Sequence, residues 1–170
     1  MSEQTPENSD QNKPRRRSRN RANNEQAILN AAEYIFAHKG YNGATIEGIA
    51  EHAGFSKQNL LYYYASKEVI YQAVLKRILD LWLEKLNLFN QQGEDPATML
   101  SNYIRGKLEI SQSNPTGSKV FANEIINGAP HIKEYLSENL LPTLEEDVAL
   151  VKQWIADRKI DDIDPYHLFF

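Results

Sequence analysis

Two short segments with helical apolar spacing, separated by a glycine within residues 45–64, constrain this chain more than any other feature. Ala50 is small where two crossing helices must approach. Gly54 can take the positive φ of a tight turn, and Ile49, Ala53, Phe55 and Leu60 have the sizes to fill the space between. Thr45 opens the first segment and Ser56 caps the second. An arbitrary amphipathic pair would rarely meet all these demands at fixed offsets. The pattern predicts a helix-turn-helix, with a protein-binding helical hairpin as the plainer alternative.

At about 100° per residue from Lys57, the second segment puts Leu60, Leu61 and Tyr64 on one side and Gln58, Asn59, Tyr62 and Tyr63 on the other. The outward set suits a nucleic-acid groove. Glutamine and asparagine amides pair with adenine edges, a lysine at the helix start reaches guanine or a phosphate, and tyrosine hydroxyls position the backbone. Thr45 and Ser56 offer hydroxyls beside that face. Lys67 follows the cap Ser66, where helix amides and its ammonium could share a phosphate.

The charge is distributed to match. The 170-residue chain carries a net charge of -4, yet residues 11–67 hold nine Lys/Arg against four Asp/Glu, and residues 68–170 hold ten against sixteen. Residues 1–21 read as a disordered basic arm, in which Lys13, Arg15, Arg16, Arg17, Arg19 and Arg21 crowd into nine positions. A solvated tail would have this composition too. Placed before a helix-turn-helix, it is expected to reach phosphates or the minor groove.

The remainder reads as helix throughout, so the expected class is all-α: a head over residues 22–67 and a helical domain over 68–170. A first helix with Ile28, Ala32, Ile35 and Phe36 inward should stop at Gly40. A long fourth, capped by Ser66, buries Val74, Ile78 and Trp82. Asp95-Pro96 opens a fifth, and a sixth spans about 121–127. Two more are expected over 131–139 and 142–159, with a last one started by Asp164-Pro165. On the fifth helix Lys107 falls amid Leu100, Tyr103, Ile104 and Leu108, where a lone ammonium is costly to bury. It should snorkel, pair with Glu109 or Glu124, or face a polar ligand. Leu168, Phe169 and Phe170 end the sequence on a helix without an evident partner, which predicts that the chain is incomplete there.

Other chemistries find little support. The chain has no cysteine, and His38, His52, His131 and His167 lack ligand spacing. Asp161, Asp162 and Asp164 read as cap and turn before Pro165, so no metal, no cofactor and no catalytic residue is expected, and an enzyme is not the reading. No apolar run approaches the ~20 residues of a membrane span, which makes the cytoplasm the expected compartment. A helical interaction or carrier protein with a basic arm is the alternative from another class.

From Ile28 to about Leu75 the chain resembles the TetR family of repressors. The likeness rests on Lys39-Gly40-Tyr41, Thr45, Ile49-Ala50, Ala53-Gly54-Phe55-Ser56, Leu61-Tyr62-Tyr63-Tyr64 and Ser66-Lys67-Glu68. Members commonly carry Gly or Pro where this chain has Gln58, so the bases read should differ. The later stretches around Ile78–Leu83, Tyr103–Glu109 and Ile163–Pro165 are similar to a pyrimidine-responsive branch of that family. The resemblance implies a homodimer on a palindromic double-stranded operator, paired through the family's last two helices, which largely fall beyond this sequence. It also implies an effector pocket among the fourth to eighth helices. Uracil or thymine there would stack on Trp82, with Tyr103, Lys107, Phe121 and Glu124 as further contacts. A regulator answering another small molecule, or none, fits the same head.

Overall fold

The computed structural model describes residues 13–86 and 95–169, with side chains over 18–84 and 95–169. Every described element is helical: α1 (Lys13–Gly43), α2 (Ile46–Ala53), α3 (Lys57–Tyr63), α4 (Lys67–Leu86), α5 (Pro96–Ser113), α6 (Pro115–Ile126), α7 (Lys133–Tyr135), a π turn (Leu136–Leu140), α8 (Leu141–Ala156) and α9 (Pro165–Phe169).

The punctuation predicted from glycine and cap residues holds. At Gly40 the backbone takes φ 68°, which interrupts α1 and turns the chain toward α2. Thr45 accepts from the Gly48 amide, Ser56 from Asn59, Ser66 from Val69 and Asp95 from Thr98, so each of these helices starts with an orphan N–H satisfied.

Three boundaries differ. Residues 13–21 are helix, not disordered arm; Pro14 fits a helix's first turn and the arginines that follow are good helix formers, so α1 extends through them. Residues 1–12 of the expected arm lie outside the described residues. The sixth helix starts at Pro115, because Asn114 caps it through the Gly117 amide. The expected break near residues 139–142 is a π turn joining α7 to α8. Pro142 lacks an N–H and would crowd the preceding turn, and the widened turn accommodates it without ending the helix.

Two apolar clusters result. The larger joins α1, α2, α3 and most of α4 to Val120 of α6 and to Ala129 and Ile132 beyond it. The smaller gathers Met99, Tyr103, Leu144, Val148, Val151, Trp154 and Phe169 from α5, α8 and α9. Phe169 therefore has a partner after all, meeting Tyr103 edge-on at 5.5 Å; Phe170 lies outside the described residues. On α5 the inward face is Met99, Tyr103 and Ile110, so Ile104 and Leu108, expected beside Lys107 in the apolar arc, point outward at 60% and 58% exposure.

Arg77 of α4 links α4 to α1 and, through Glu33, to the start of α6. Its guanidinium meets Glu33 of α1 at 2.6 Å and Asn30 at 2.8 Å, and the same Glu33 carboxylate accepts from Thr116 at the start of α6 at 2.5 Å.

Candidate DNA interface and effector region

The candidate DNA-contacting surface begins with the turn between α2 and α3. Gly54 adopts φ 74° and its amide closes on the Ala50 and Glu51 carbonyls, while Phe55 donates to Ala50 at 2.8 Å. Ile49 and Leu60 become fully buried beneath it. With that side of α3 committed inward, Ser56, Lys57, Gln58 and Asn59 are all exposed, and Tyr62 is 73% exposed. Amides, a hydroxyl and a phenol thus share one solvent face at the spacing of a single helix, which is the chemistry needed to contact base edges and phosphates.

The first helix supports that face from behind. Asn24 donates to the Tyr63 hydroxyl at 2.8 Å, and the Arg21 guanidinium lies 5.9 Å from the rings of both Tyr62 and Tyr63. Arg21 also pairs with Glu25, whose hydrogen bond and charge raise the guanidinium further above its ordinary range. Because α1 continues back through the basic run, Arg19 and Arg21 project from a helix standing beside α3. Side chains of Arg15, Arg16 and Arg17 lie outside the described residues.

Four predicted contacts are held by the protein itself. Lys57 donates to Glu47 of α2 at 2.5 Å, and this hydrogen bond draws the Glu47 carboxyl below its ordinary range. Thr45 and Ser56 spend their oxygens as acceptors on helix caps, which leaves each hydroxyl hydrogen to donate. Lys67 points back into the fold, giving hydrogen bonds to the Tyr41 and Ala44 carbonyls at 2.9 and 3.1 Å with its ammonium 4.4 Å from the Tyr41 ring. Lys67 thereby fastens the start of α4 to the end of α1 and the link into α2. Tyr63 is half-buried and packs on the head's core, so its ring is less available than the wheel suggested.

The five expected effector residues do not form one site. Trp82 and Phe121 meet across α4 and α6, with ring centroids 6.0 Å apart and planes at 29°. Tyr103 and Lys107 belong to the other cluster. Lys107 donates to the Phe169 carbonyl at 2.7 Å and lies 4.8 Å from the Tyr103 ring; it pairs with neither Glu109 nor Glu124, and burial lowers its pKa. Burial pushes the Tyr103 hydroxyl up to about 12. Glu124 is 3% exposed and already engaged, accepting from the His131 amide at 2.7 Å and facing its ring at 3.2 Å. It thereby fixes the turn through Gly128 and Ala129, both at positive φ.

Two polar groups escaped the sequence reading. Ser118 Oγ and one oxygen of Asp147 are buried without a hydrogen-bond partner, as is Trp82 Nε1. Burial, with the neighbouring Glu146 charge, raises the Asp147 carboxyl to about 7. Asp147 follows Leu144 by three positions and precedes Val151 by four and Trp154 by seven, so the spacing itself puts this carboxylate on the buried stripe of α8. Asp164 accepts from the Tyr166 amide at 2.9 Å, the turn role expected of it.

Comparison with known proteins agrees with this arrangement. The chain is 43% identical to the HTH-type transcriptional regulator RutR of Escherichia coli (strain K12) over 155 residues, 91% of this chain and 73% of that protein. Among solved structures, the TetR family regulator PfmR from Thermus thermophilus superposes with a TM-score of 0.69 at 19% identity, covering 81% of this chain and 75% of that one. AibR, solved with isovaleryl coenzyme A and operator DNA, gives a TM-score of 0.71 at 19% identity over 86% and 80%. Residues 75–170 match the family described as YcdC-like protein, C-terminal region, and residues 28–74 match bacterial regulatory proteins, tetR family. With the reading helix outward and a helical domain behind it, the chain belongs to the TetR family of DNA-binding transcriptional regulators.

Proposed function

We propose that this regulator is a repressor that binds a palindromic operator as a homodimer and releases it when a pyrimidine, uracil or thymine, enters the helical domain. Gln58 and Asn59 read base edges in successive major grooves, while Lys57, Tyr62, Tyr63 and the hydroxyls of Thr45 and Ser56 hold the phosphates. Arg19, Arg21 and the preceding arginines add sequence-independent attraction. Lys67 acts mainly by fixing the start of α4. The protein works in the cytoplasm, beside the chromosome.

One observation carries the effector half of this reading: α4 belongs to both regions. Its first turn is tied to the head through Lys67 and the Tyr41 and Ala44 carbonyls. Its far end carries Trp82 against Phe121, an aromatic pair on which a flat ring can stack. A ligand that displaces this pair biases the position of the head, and by linkage DNA and effector weaken each other's binding by the same factor.

The test is calorimetry of the chain with uracil and thymine, together with operator binding in the presence and absence of each. Heat from one pyrimidine and an equal reciprocal weakening are expected. No heat with either ends the pyrimidine assignment, and an operator affinity indifferent to a bound pyrimidine ends the regulatory one. Gln58→Ala should relax base preference by about 1–3 kcal/mol if its amide pairs bidentately. An unchanged preference would remove Gln58 from the reading set.

A further inference from the structure

Asn24 of α1 reaches the far end of α3 across 39 positions of sequence, a contact that no local spacing displays. Ile28, one turn further along α1, is fully buried and fixes the rotation of that helix. Asn24 and Arg21, four and seven positions before it, therefore share its side. Both meet α3. The Arg21 guanidinium lies 5.9 Å from the rings of Tyr62 and Tyr63, and half-buried Asn24 donates through Nδ2 to the Tyr63 hydroxyl at 2.8 Å. The Tyr63 ring is also held edge-on by Phe55 at 6.2 Å and by Tyr62 at 5.3 Å. With the ring fixed, what remains to be set is where its hydroxyl hydrogen points.

We propose that Asn24 is a positioning residue for DNA binding: by donating to the Tyr63 oxygen it leaves the phenol's one hydrogen free to turn outward and be given to a backbone phosphate. This rests on the reading above that Tyr63 holds a phosphate. A phosphate oxygen only accepts, so the contact exists only while the phenol hydrogen is not spent inside the protein. The amide nitrogen of Asn24 meets the phenol oxygen without being able to take that hydrogen. Accepting a hydrogen bond also polarises the phenol and makes it the stronger donor. Arg21, paired with Glu25 at 2.8 Å, keeps a positive charge beside the same ring, which favours an anion there. A carboxylate at position 24 would reverse the bond. It would take the phenol hydrogen and leave none for the phosphate.

The experiment takes a duplex that the wild-type chain selects from random sequence and measures its affinity, with the thermal midpoint of the free protein, for Asn24→Ala, Asn24→Asp, Tyr63→Phe and the two double variants. Tyr63→Phe should weaken binding roughly tenfold. Asn24→Asp keeps a hydrogen bond to Tyr63, so its midpoint should hold. It should nevertheless weaken binding roughly tenfold more in the wild-type background than in the Tyr63→Phe background, since the added charge acts in both and cancels in the ratio. Asn24→Ala should cost about threefold with Tyr63 present and nothing with Tyr63→Phe. Equal losses in the two backgrounds overturn the positioning role and leave Tyr63 on the phosphate. Full affinity in Tyr63→Phe overturns that placement of Tyr63, and the role of Asn24 with it.

Discussion

The head and the helical domain behind it solve the burial of polar groups in opposite ways. In the head, Ile28, Ile49 and Leu60 are wholly buried, the starts of α2 and α3 are capped, and the Tyr41 and Ala44 carbonyls receive Lys67. From the far half of α4 onward, indole, hydroxyl and carboxyl atoms are buried unmatched, and Lys107 sits half-buried against a carbonyl. The reading surface proposed above would present Gln58 and Asn59 at fixed spacing, which favours a core with one arrangement. The ligand response proposed for the helical domain would need a second arrangement close in energy, and unmatched polar groups bring one within reach.

This contrast can be broken at its weakest joint first. Folded Asp147 keeps its proton to about pH 7, whereas the unfolded chain releases it near pH 3.9, so the folded state binds more protons between these values and stability should fall as pH rises through them. The loss should approach about 4 kcal/mol by urea denaturation, and Asp147→Asn should abolish most of it. A wild-type stability flat over that window would remove Asp147 from the contrast. Leu60→Ala in the matched head should cost about 3 kcal/mol at any pH in the same assay. Glu33→Gln strips the charge facing Arg77 at the joint between the regions. It should lower the urea midpoint by the equivalent of about 2 kcal/mol and weaken the reciprocal effect of effector on operator. Ser56→Ala should cost about 1 kcal/mol through the lost cap on α3, and a cost near zero would show that the cap is not needed to hold the reading helix.

The head was legible because its determinants are local. Gly40, Gly54, Thr45 and Ser56 act within three or four residues of themselves, and sequence displays such offsets directly. The proposed effector region depends on which helices meet, and a helical wheel orders residues around an axis without saying what lies opposite. It separated neither Trp82 and Phe121 from Tyr103 and Lys107 nor the buried face of α5 from Ile104 and Leu108. Glu124 looked like a ligand group because its turn partner, His131, lies beyond a glycine and a proline that promised only an end to the helix. The basic arm was misread for the opposite reason: charge suggested disorder where arginine's own propensity and a continuing axis gave helix.

The shared fourth helix bears on how such regulators can be recombined. Ile70, Val74, Leu75, Ile78 and Leu79 belong to the same cluster as Ile28 and Ile49, and Val120 of α6 closes it. A chimaera spliced in the short link before Ser66 would hand the transplanted head a foreign set of core side chains, and Glu33 a foreign partner in place of Arg77. The smallest portable unit reaches at least to Leu79. Even then it must bring a surface that fits the recipient's sixth helix, so lineages exchanging heads would have to match α4 to α6 before they could change operators.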